Sequence, residues 1–154
     1  VLSGIDFNGS DVTDEIVQSV EEGDNILIEN NVLNSRYKPY DNPFLMADEK
    51  EIMNILKKFP KNVKLLLDVA HLKVSSRTLK FNLQKSHKSL RKYINAYHLS
   101  DNNGIEDSNK KFSKNAWFWK HFKKKTDFIT IEVYNISGKE YADLLQIVEK
   151  KLNQ

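Results

Sequence analysis

Four short apolar stretches along the chain have the length and composition of β-strands. Each is rich in aliphatic, β-branched or aromatic residues, and the runs are apolar on both faces, as in strands covered on both sides. The four stretches are NILIEN (25–30), VKLLLD (63–68), INAYHLSD (94–101) and FITIEVYN (128–135). The pattern therefore predicts four largely buried strands.

Segments with helical spacing of apolar residues lie between and around these strands. Residues 11–23 carry a helical stripe, and a second stripe ends at Pro60, which cannot continue a helix. The segment 76–93 is predicted to be helical in its second half, and one helical turn or more is predicted around 117–122. The last helix begins with a capping box, Ser137 and Glu140. Its predicted apolar face consists of Tyr141, Leu144, Leu145, Val148 and Leu152.

The alternation of strands and helices predicts an α/β fold with a parallel sheet. Neither a low-complexity segment nor a linker divides the 154 residues, so residues 1–154 are interpreted as a single domain. The predicted strands share a further feature, because each delivers a side chain able to bind a metal at or near its end. These side chains are Glu29, Asp68, His98 and Glu132.

Parallel strands direct their carboxyl ends to one edge of the sheet, where α/β proteins place their functional sites. Any one of the four residues alone is more often a helix cap or a loop residue than a ligand. All four together are harder to explain as helix caps or loop residues, since burying several carboxylates is costly unless a cation compensates their charge. The sequence therefore predicts a metal site at the sheet edge.

Composition narrows the choice of metal and of partner. The chain has no cysteine, so a metal would be held by oxygen atoms and imidazole, a set that favours one Mn²⁺, Mg²⁺ or Co²⁺ ion, with Zn²⁺ also compatible. The net charge of +3 neither requires nor excludes nucleic acid. No stretch is long and apolar enough for a membrane span. Without cysteine or a visible export signal, we expect a cytoplasmic protein.

The four strand ends resemble those of a known superfamily. ILIEN, LLLDVAH, YHLSDN and ITIEVYN resemble, in order and spacing, the last four strands of the xylose-isomerase-like TIM barrels. This group includes sugar phosphate isomerases and epimerases, ketose 3-epimerases and endonuclease IV. The resemblance runs from Gly23 onward and implies a (β/α)8 TIM barrel of which about the last four βα units are present in this chain.

The resemblance also implies an activity and a role for each residue. In the epimerase branch the corresponding Glu, Asp, His and Glu bind one divalent ion, and the two glutamates act as acid and base. Carried over, Glu29 and Glu132 would be both metal ligands and catalytic groups, and Asp68 and His98 would complete the metal site. The implied function is a sugar or sugar phosphate isomerase or epimerase that abstracts a proton next to a carbonyl and forms an enediolate.

Three further residues are candidate contacts for the small-molecule substrate. His71 would contact a substrate hydroxyl or carbonyl oxygen, and Lys73 is a candidate for an anionic substrate. No Arg follows His98 in HLSDNNGIED, where the ketose epimerases have one. Asp101 and the two asparagines after it could replace that Arg, or could only turn the loop.

Two other functions remain open. Endonuclease IV-like DNA repair enzymes complete a zinc cluster with an Asp-x-His pair, but residues 107–109 read Asp-Ser-Asn, which argues against nucleic acid as the substrate. The other alternative is a non-catalytic barrel domain.

The remaining polar segments are interpreted as surface or loop features. The lysine-rich segment 119–125 is interpreted as a solvated helix end, and 36–44 as an ordered loop near the mouth of the barrel. His87 and His121 are interpreted as surface residues.

The size of the chain bears on its state of assembly. A complete TIM barrel has eight βα units and about 250 residues. Four strands would leave sheet edges unpaired. We therefore expect the chain to belong to a longer polypeptide that supplies the N-terminal half-barrel, or else to form a homo-oligomer.

Overall fold

A computed structural model describes residues 26–34 and 46–154 of the chain, and a four-stranded parallel sheet forms its centre. The strands lie side by side in sequence order. They are β1 (Ile26–Glu29), β2 (Val63–Asp68), β3 (Ile94–Leu99) and β4 (Phe128–Ile131). The predicted α/β class is therefore confirmed. The helix predicted over 11–23 and the loop over 36–44 lie outside the described residues.

Helices follow or precede each strand of the described part of the chain. They are α1 (Glu49–Lys58), α2 (Val69–Thr78), α3 (Leu83–Leu90), α4 (Gly138–Leu152) and a short 3-10 helix (Trp117–His121). None of the described helices has the length and apolar character needed to cross a membrane.

Local sequence signals explain where α1 begins and ends. The Asp48 side chain accepts hydrogen bonds from the N–H groups of Lys50 and Glu51, which satisfies two free donors of the first turn. Acidic residues occupy the first turn and lysines the last, in the order that the helix dipole favours. The predicted stripe is buried at Ile52 and Leu56.

Helix α4 begins at the predicted capping box but buries a narrower face than predicted. The Ser137 hydroxyl accepts from Glu140 N–H while the Glu140 carboxylate accepts from Ser137 N–H. Leu144 and Val148 are buried, whereas Tyr141 and Leu145 are exposed. The helix therefore contacts the core along a single stripe, and the wider apolar face inferred from spacing was wrong.

The sheet separates two apolar clusters. The larger one contains Leu65, Leu67 and Tyr97 and packs against the helices. On the opposite face, Leu27, Leu66 and Ala96 form a small buried cluster of their own. These three residues lie two positions before Glu29, Asp68 and His98, so side-chain alternation puts the strand-end residues directly above this cluster on the same face.

Strands β3 and β4 end earlier than the sequence pattern predicted. Strand β3 ends at Leu99, so His98 is its penultimate residue, and β4 ends at Ile131, so Glu132 is the first residue beyond it. The Glu132 N–H still donates to the Leu99 carbonyl at 3.0 Å. The backbone hydrogen bonding between β3 and β4 thus extends to Glu132 and fixes its main chain, although the regular strand has ended.

His87 is buried, and its interpretation as a surface residue was wrong. Its ring lies edge-on against Tyr97 and Trp117, and Nε2 is 3.2 Å from the Tyr97 hydroxyl. The hydroxyl also accepts a hydrogen bond from Lys123 N–H, so its own hydrogen can go to His87. The signal that was missed is the spacing to Leu83 and Leu90, which places His87 on the inner face of α3. His121 keeps partial exposure.

Candidate metal centre

The structure brings the four strand-end residues together in one cluster. Glu29, Asp68, His98 and Glu132 each offer one potential ligand atom, and these atoms lie within 4.8 Å of one another. The register explains this convergence. Asp68 pairs with His98, while the partner of Glu29 is two residues before Asp68, and the partner of His98 is two residues before Glu132. Because side chains alternate between the two faces of a sheet, offsets of zero or two residues between neighbouring strands keep all four side chains on the same face.

Asp68 serves both the helix that follows it and the cluster. Its Oδ1 accepts a hydrogen bond from His71 N–H at 2.8 Å and so caps α2, whereas Oδ2 lies 3.9 Å from His98 Nδ1. The side chain is only 1% exposed. Burial raises the pKa of Asp68 to about 6, although the nearby His71 acts in the opposite direction.

His98 lies at the centre of the cluster. Its Nδ1 is 3.2 Å from Glu29 Oε1 and 3.1 Å from Glu132 Oε2. The hydrogen bond to Glu29 raises the pKa of His98, and the charges of the surrounding carboxylates act in the same direction, against the effect of burial. A proton or a cation can bind the Nδ1 lone pair, but not both. Three carboxylates and one imidazole form a donor set that fits a hard or borderline divalent cation.

His71, the predicted substrate contact, lies beside the cluster. Nδ1 donates to the Asn30 carbonyl at 2.8 Å and Nε2 donates to Asp107 Oδ2 at 3.1 Å, while Nδ1 is 3.8 Å from Glu29 Oε1. Burial acts to lower the pKa of His71, but the hydrogen bond to Asp107 and the charge of Asp68 outweigh it and raise the pKa to about 10. Because both partners are acceptor oxygens, the two contacts are satisfied when both ring nitrogens carry hydrogen, the form that the raised pKa favours.

Lys73 and Asp101, the other two predicted substrate contacts, pair with each other. Lys73 Nζ lies 2.5 Å from Asp101 Oδ1 and also donates to the Asn102 carbonyl. Within the described ranges no hydrogen bond or ion pair joins either residue to the four clustered side chains. The charge of Lys73 is thus matched by a carboxylate of the loop after β3.

The asparagines of that loop shape its backbone. Asn102 donates to the Ala70 carbonyl at 2.9 Å and accepts from Gly104 N–H at 2.8 Å. The Asn103 side chain accepts from the N–H groups of Ile105 and Glu106. Of the two roles weighed for these asparagines, turning the loop is the one that the structure supports.

Two residues that hold the cluster were missed by the sequence analysis. The Asn30 amide binds both backbone groups of Asp68, accepting from its N–H at 2.7 Å and donating to its carbonyl at 3.1 Å. The Tyr134 hydroxyl donates to Glu132 Oε1 at 2.8 Å. The available signal was their position, since Asn30 directly follows Glu29 and Tyr134 comes two residues after Glu132.

Comparison with known proteins supports the α/β fold described above. No protein-family model and no curated protein matches the sequence. Among solved structures, a D-tagatose 3-epimerase-like protein matches with a TM-score of 0.58 and 22% identity over 81% of this chain and 45% of its own. The TTHB071 protein from Thermus thermophilus, in a crystal soaked with ZnCl2, matches with a TM-score of 0.52 and 18% identity over 82% of this chain and 45% of its own.

These likenesses define the architecture of the chain. It has the fold of part of a xylose-isomerase-like TIM barrel, as the strand-end motifs predicted. The chain spans 45% of the length of each of the two solved structures.

Proposed function

We propose that this chain forms the metal-binding half of a sugar or sugar phosphate isomerase or epimerase. The observation that carries the proposal is the convergence of Glu29, Asp68, His98 and Glu132, with potential ligand atoms within 4.8 Å of one another on the face of a parallel sheet. The choice of a sugar substrate is supported by the fold shared with a D-tagatose 3-epimerase-like protein.

The donor set supports one divalent cation, Mn²⁺, Mg²⁺ or Co²⁺, with Zn²⁺ also compatible. All four residues of the cluster would hold it. Once bound, the cation would act as a Lewis acid that polarises the carbonyl group of the substrate. The protein's own share of the chemistry is to orient the substrate and to move the proton.

Glu29 and Glu132 are the proposed acid and base. One carboxylate would remove the proton from the carbon next to the carbonyl, giving an enediolate, and the other would return a proton to the opposite face or to the neighbouring carbon. Their attachment to the outer strands of the described sheet supports this division, because β1 and β4 flank the Asp68–His98 pair on either side.

His71, Lys73 and Asp101 are the proposed substrate contacts. His71 lies beside Glu29, and its Nε2–H, which donates to Asp107 in this structure, could be redirected to a substrate oxygen. The Lys73–Asp101 pair offers one donor and one acceptor to sugar hydroxyl groups. This assignment rests on the chemistry of the three side chains and on their position beyond the carboxyl ends of the strands, His71 and Lys73 near the start of α2 and Asp101 shortly after β3.

We further propose that a second half-barrel completes the site. The matched solved structures are each more than twice as long as the matched region, and the outer strands of the described sheet have one strand neighbour each. The second half would be the N-terminal half of a longer polypeptide or, as the alternative, another copy of this chain.

Metal analysis of the purified protein tests the metal site. We expect about one divalent ion per chain after incubation with Mn²⁺, and loss of that ion when Asp68→Asn and His98→Ala are combined. Asp68→Asn is preferred to Asp68→Ala because asparagine keeps the cap of α2. Two or three zinc ions per chain would favour the alternative function of an endonuclease IV-like DNA repair enzyme. No bound metal in the unaltered protein would favour a non-catalytic barrel domain.

Exchange of carbon-bound hydrogen tests the reaction. The experiment uses the barrel completed by its second half, in D2O. We expect metal-dependent incorporation of deuterium at the carbon next to the carbonyl of a sugar or sugar phosphate, and NMR detects this incorporation. Glu132→Gln should abolish incorporation with the fold intact, and Glu149→Gln, the same change on the exposed surface of α4, should not. Equal exchange in both variants would refute the assignment of Glu132.

A further inference from the structure

Glu132 is the cluster residue that needs an additional support. It lies one residue beyond β4, and its side chain is 29% exposed, whereas the Asp68 side chain is 1% exposed and fixed by its cap on α2. A partly exposed glutamate normally samples several rotamers, and ordering it costs conformational entropy. A contact in addition to the one with His98 would therefore help to select the rotamer in which Glu132 faces the cluster.

The hydroxyl of Tyr134 makes that contact. It donates to Glu132 Oε1 at 2.8 Å, while the other carboxylate oxygen, Oε2, lies 3.1 Å from His98 Nδ1. The two oxygens thus have separate partners.

The main chain of Tyr134 is fixed by its neighbours although its ring is largely exposed. Tyr134 is 59% exposed, so burial contributes little to its position. Its N–H donates to the carbonyl of Asn109 at 3.1 Å. Asn109 and Asn135 both have positive φ, 41° and 57°, a conformation that asparagine adopts more readily than other non-glycine residues.

We propose that Tyr134 is a positioning residue that occupies Oε1 of Glu132 and leaves Oε2 facing the cluster, where Glu132 would hold the cation. The segment 107–109 would then support the site from outside, because Asn109 anchors Tyr134 and Asp107 binds His71. This proposal rests on the proposed metal site and adds a residue to it. A carboxylate held by one oxygen suits the small octahedral Mg²⁺ ion, whereas a free carboxylate can become bidentate, as Ca²⁺ prefers.

Metal affinity in four variants, Tyr134→Phe, Tyr141→Phe, Glu132→Ala and the double variant Glu132→Ala/Tyr134→Phe, tests the proposal without any substrate. Tyr134→Phe removes only the hydroxyl group, and we expect Mn²⁺ affinity measured by calorimetry to fall about tenfold, the usual effect of losing an outer partner of a ligand. Tyr141→Phe is the matched control, an exposed tyrosine on α4, and should bind like the unaltered protein. In a Glu132→Ala background, Tyr134→Phe should have no further effect, because Tyr134 acts through Glu132.

Selectivity gives a readout that a general loss of structure would not change. In Tyr134→Phe, displacement of Mn²⁺ should show a greater loss of affinity for Mg²⁺ than for Ca²⁺. Unchanged Mn²⁺ affinity in Tyr134→Phe, or a loss that persists in the Glu132→Ala background, would overturn the role of Tyr134 while leaving the metal site intact. Absence of metal binding by the unaltered protein would overturn the proposed function and this proposal with it.

Discussion

At the scale of single residues, the buried imidazole of His87 makes the fold sensitive to acid. Burial lowers the pKa of His87 to about 3, and the positive charges of His121 and Arg91 act in the same direction. In the unfolded chain the pKa returns to about 6.5. Between these two values the unfolded state binds a proton that the folded state excludes, so stability rises with pH across this window and is lost as the pH falls.

Replacing His87 should remove this part of the pH dependence. We expect the free energy of unfolding to fall by about 1.4 kcal/mol per pH unit, from this group alone, as the pH drops from about 6 to 4. His87→Gln should show a correspondingly shallower fall in urea unfolding over that range. His121→Gln, at a partly exposed position, should keep most of the steep dependence. Parallel pH profiles for His87→Gln and the unaltered protein would contradict this account.

The residues of the cluster show what sequence alone can predict at this scale. Glu29, Asp68, His98 and Glu132 could be identified because each follows an apolar run, and parallel strands bring such positions together. For Asn30 and Tyr134 the sequence offers only their closeness to Glu29 and Glu132, since their roles depend on the direction of a side chain beyond the end of a strand. The burial of His87 depends on packing between α3 and the 3-10 helix, and a short polar helix carries only a weak signal for it.

At the scale of elements, Asn30 joins the ends of β1 and β2. Its buried side chain replaces the strand partner that the backbone N–H and C=O of Asp68 would otherwise lack. Its own carbonyl accepts a hydrogen bond from His71. One residue therefore couples two strands to the start of α2, and the sequence pattern predicted the strands without this connection.

Removing the Asn30 side chain should loosen this junction. Asn30→Ala leaves the N–H and C=O of Asp68 without their side-chain partners, and we expect a loss of about 3 kcal/mol in the free energy of unfolding. Weaker Mn²⁺ binding should accompany it, because Asp68 is displaced. Asn103→Ala, an exposed loop position, should cost less than about 1 kcal/mol. Similar losses in the two variants by urea unfolding would show that Asn30 is not a junction.

At the scale of the whole molecule, β4 is the outer strand with the more exposed side chains. Phe128 is 39% exposed at its start, and the next residue on that face, Thr130, is also exposed. Outer strands with apolar side chains promote pairing with another sheet. The parallel order of the four strands followed from their composition, but the state of assembly depends on chain segments that a local pattern does not contain.

Without another half-barrel, we expect the chain to self-associate at micromolar concentration through β4. Phe128→Lys should weaken the association by about tenfold or more, as burial of one phenylalanine side chain contributes about 1.5 to 3 kcal/mol. Leu79→Lys is the control, since Leu79 is 41% exposed and lies at the C-terminal cap of α2, outside the strands. Sedimentation velocity measures the self-association of the unaltered chain and of the two variants. A monomeric chain, or equal effects of the two substitutions, would exclude β4 as the contact.

The double use of Asp68 has a consequence for evolution. One of its oxygens caps α2 and the other faces the cluster, so under the proposed function the same side chain would serve both folding and metal binding. A relative without the metal site would still need a cap at this position, and aspartate would satisfy it as well as asparagine or serine. Retention of aspartate here would thus be poor evidence that a relative has the metal site. His98 and Glu132, which cap no helix, are the positions at which such relatives would diverge first.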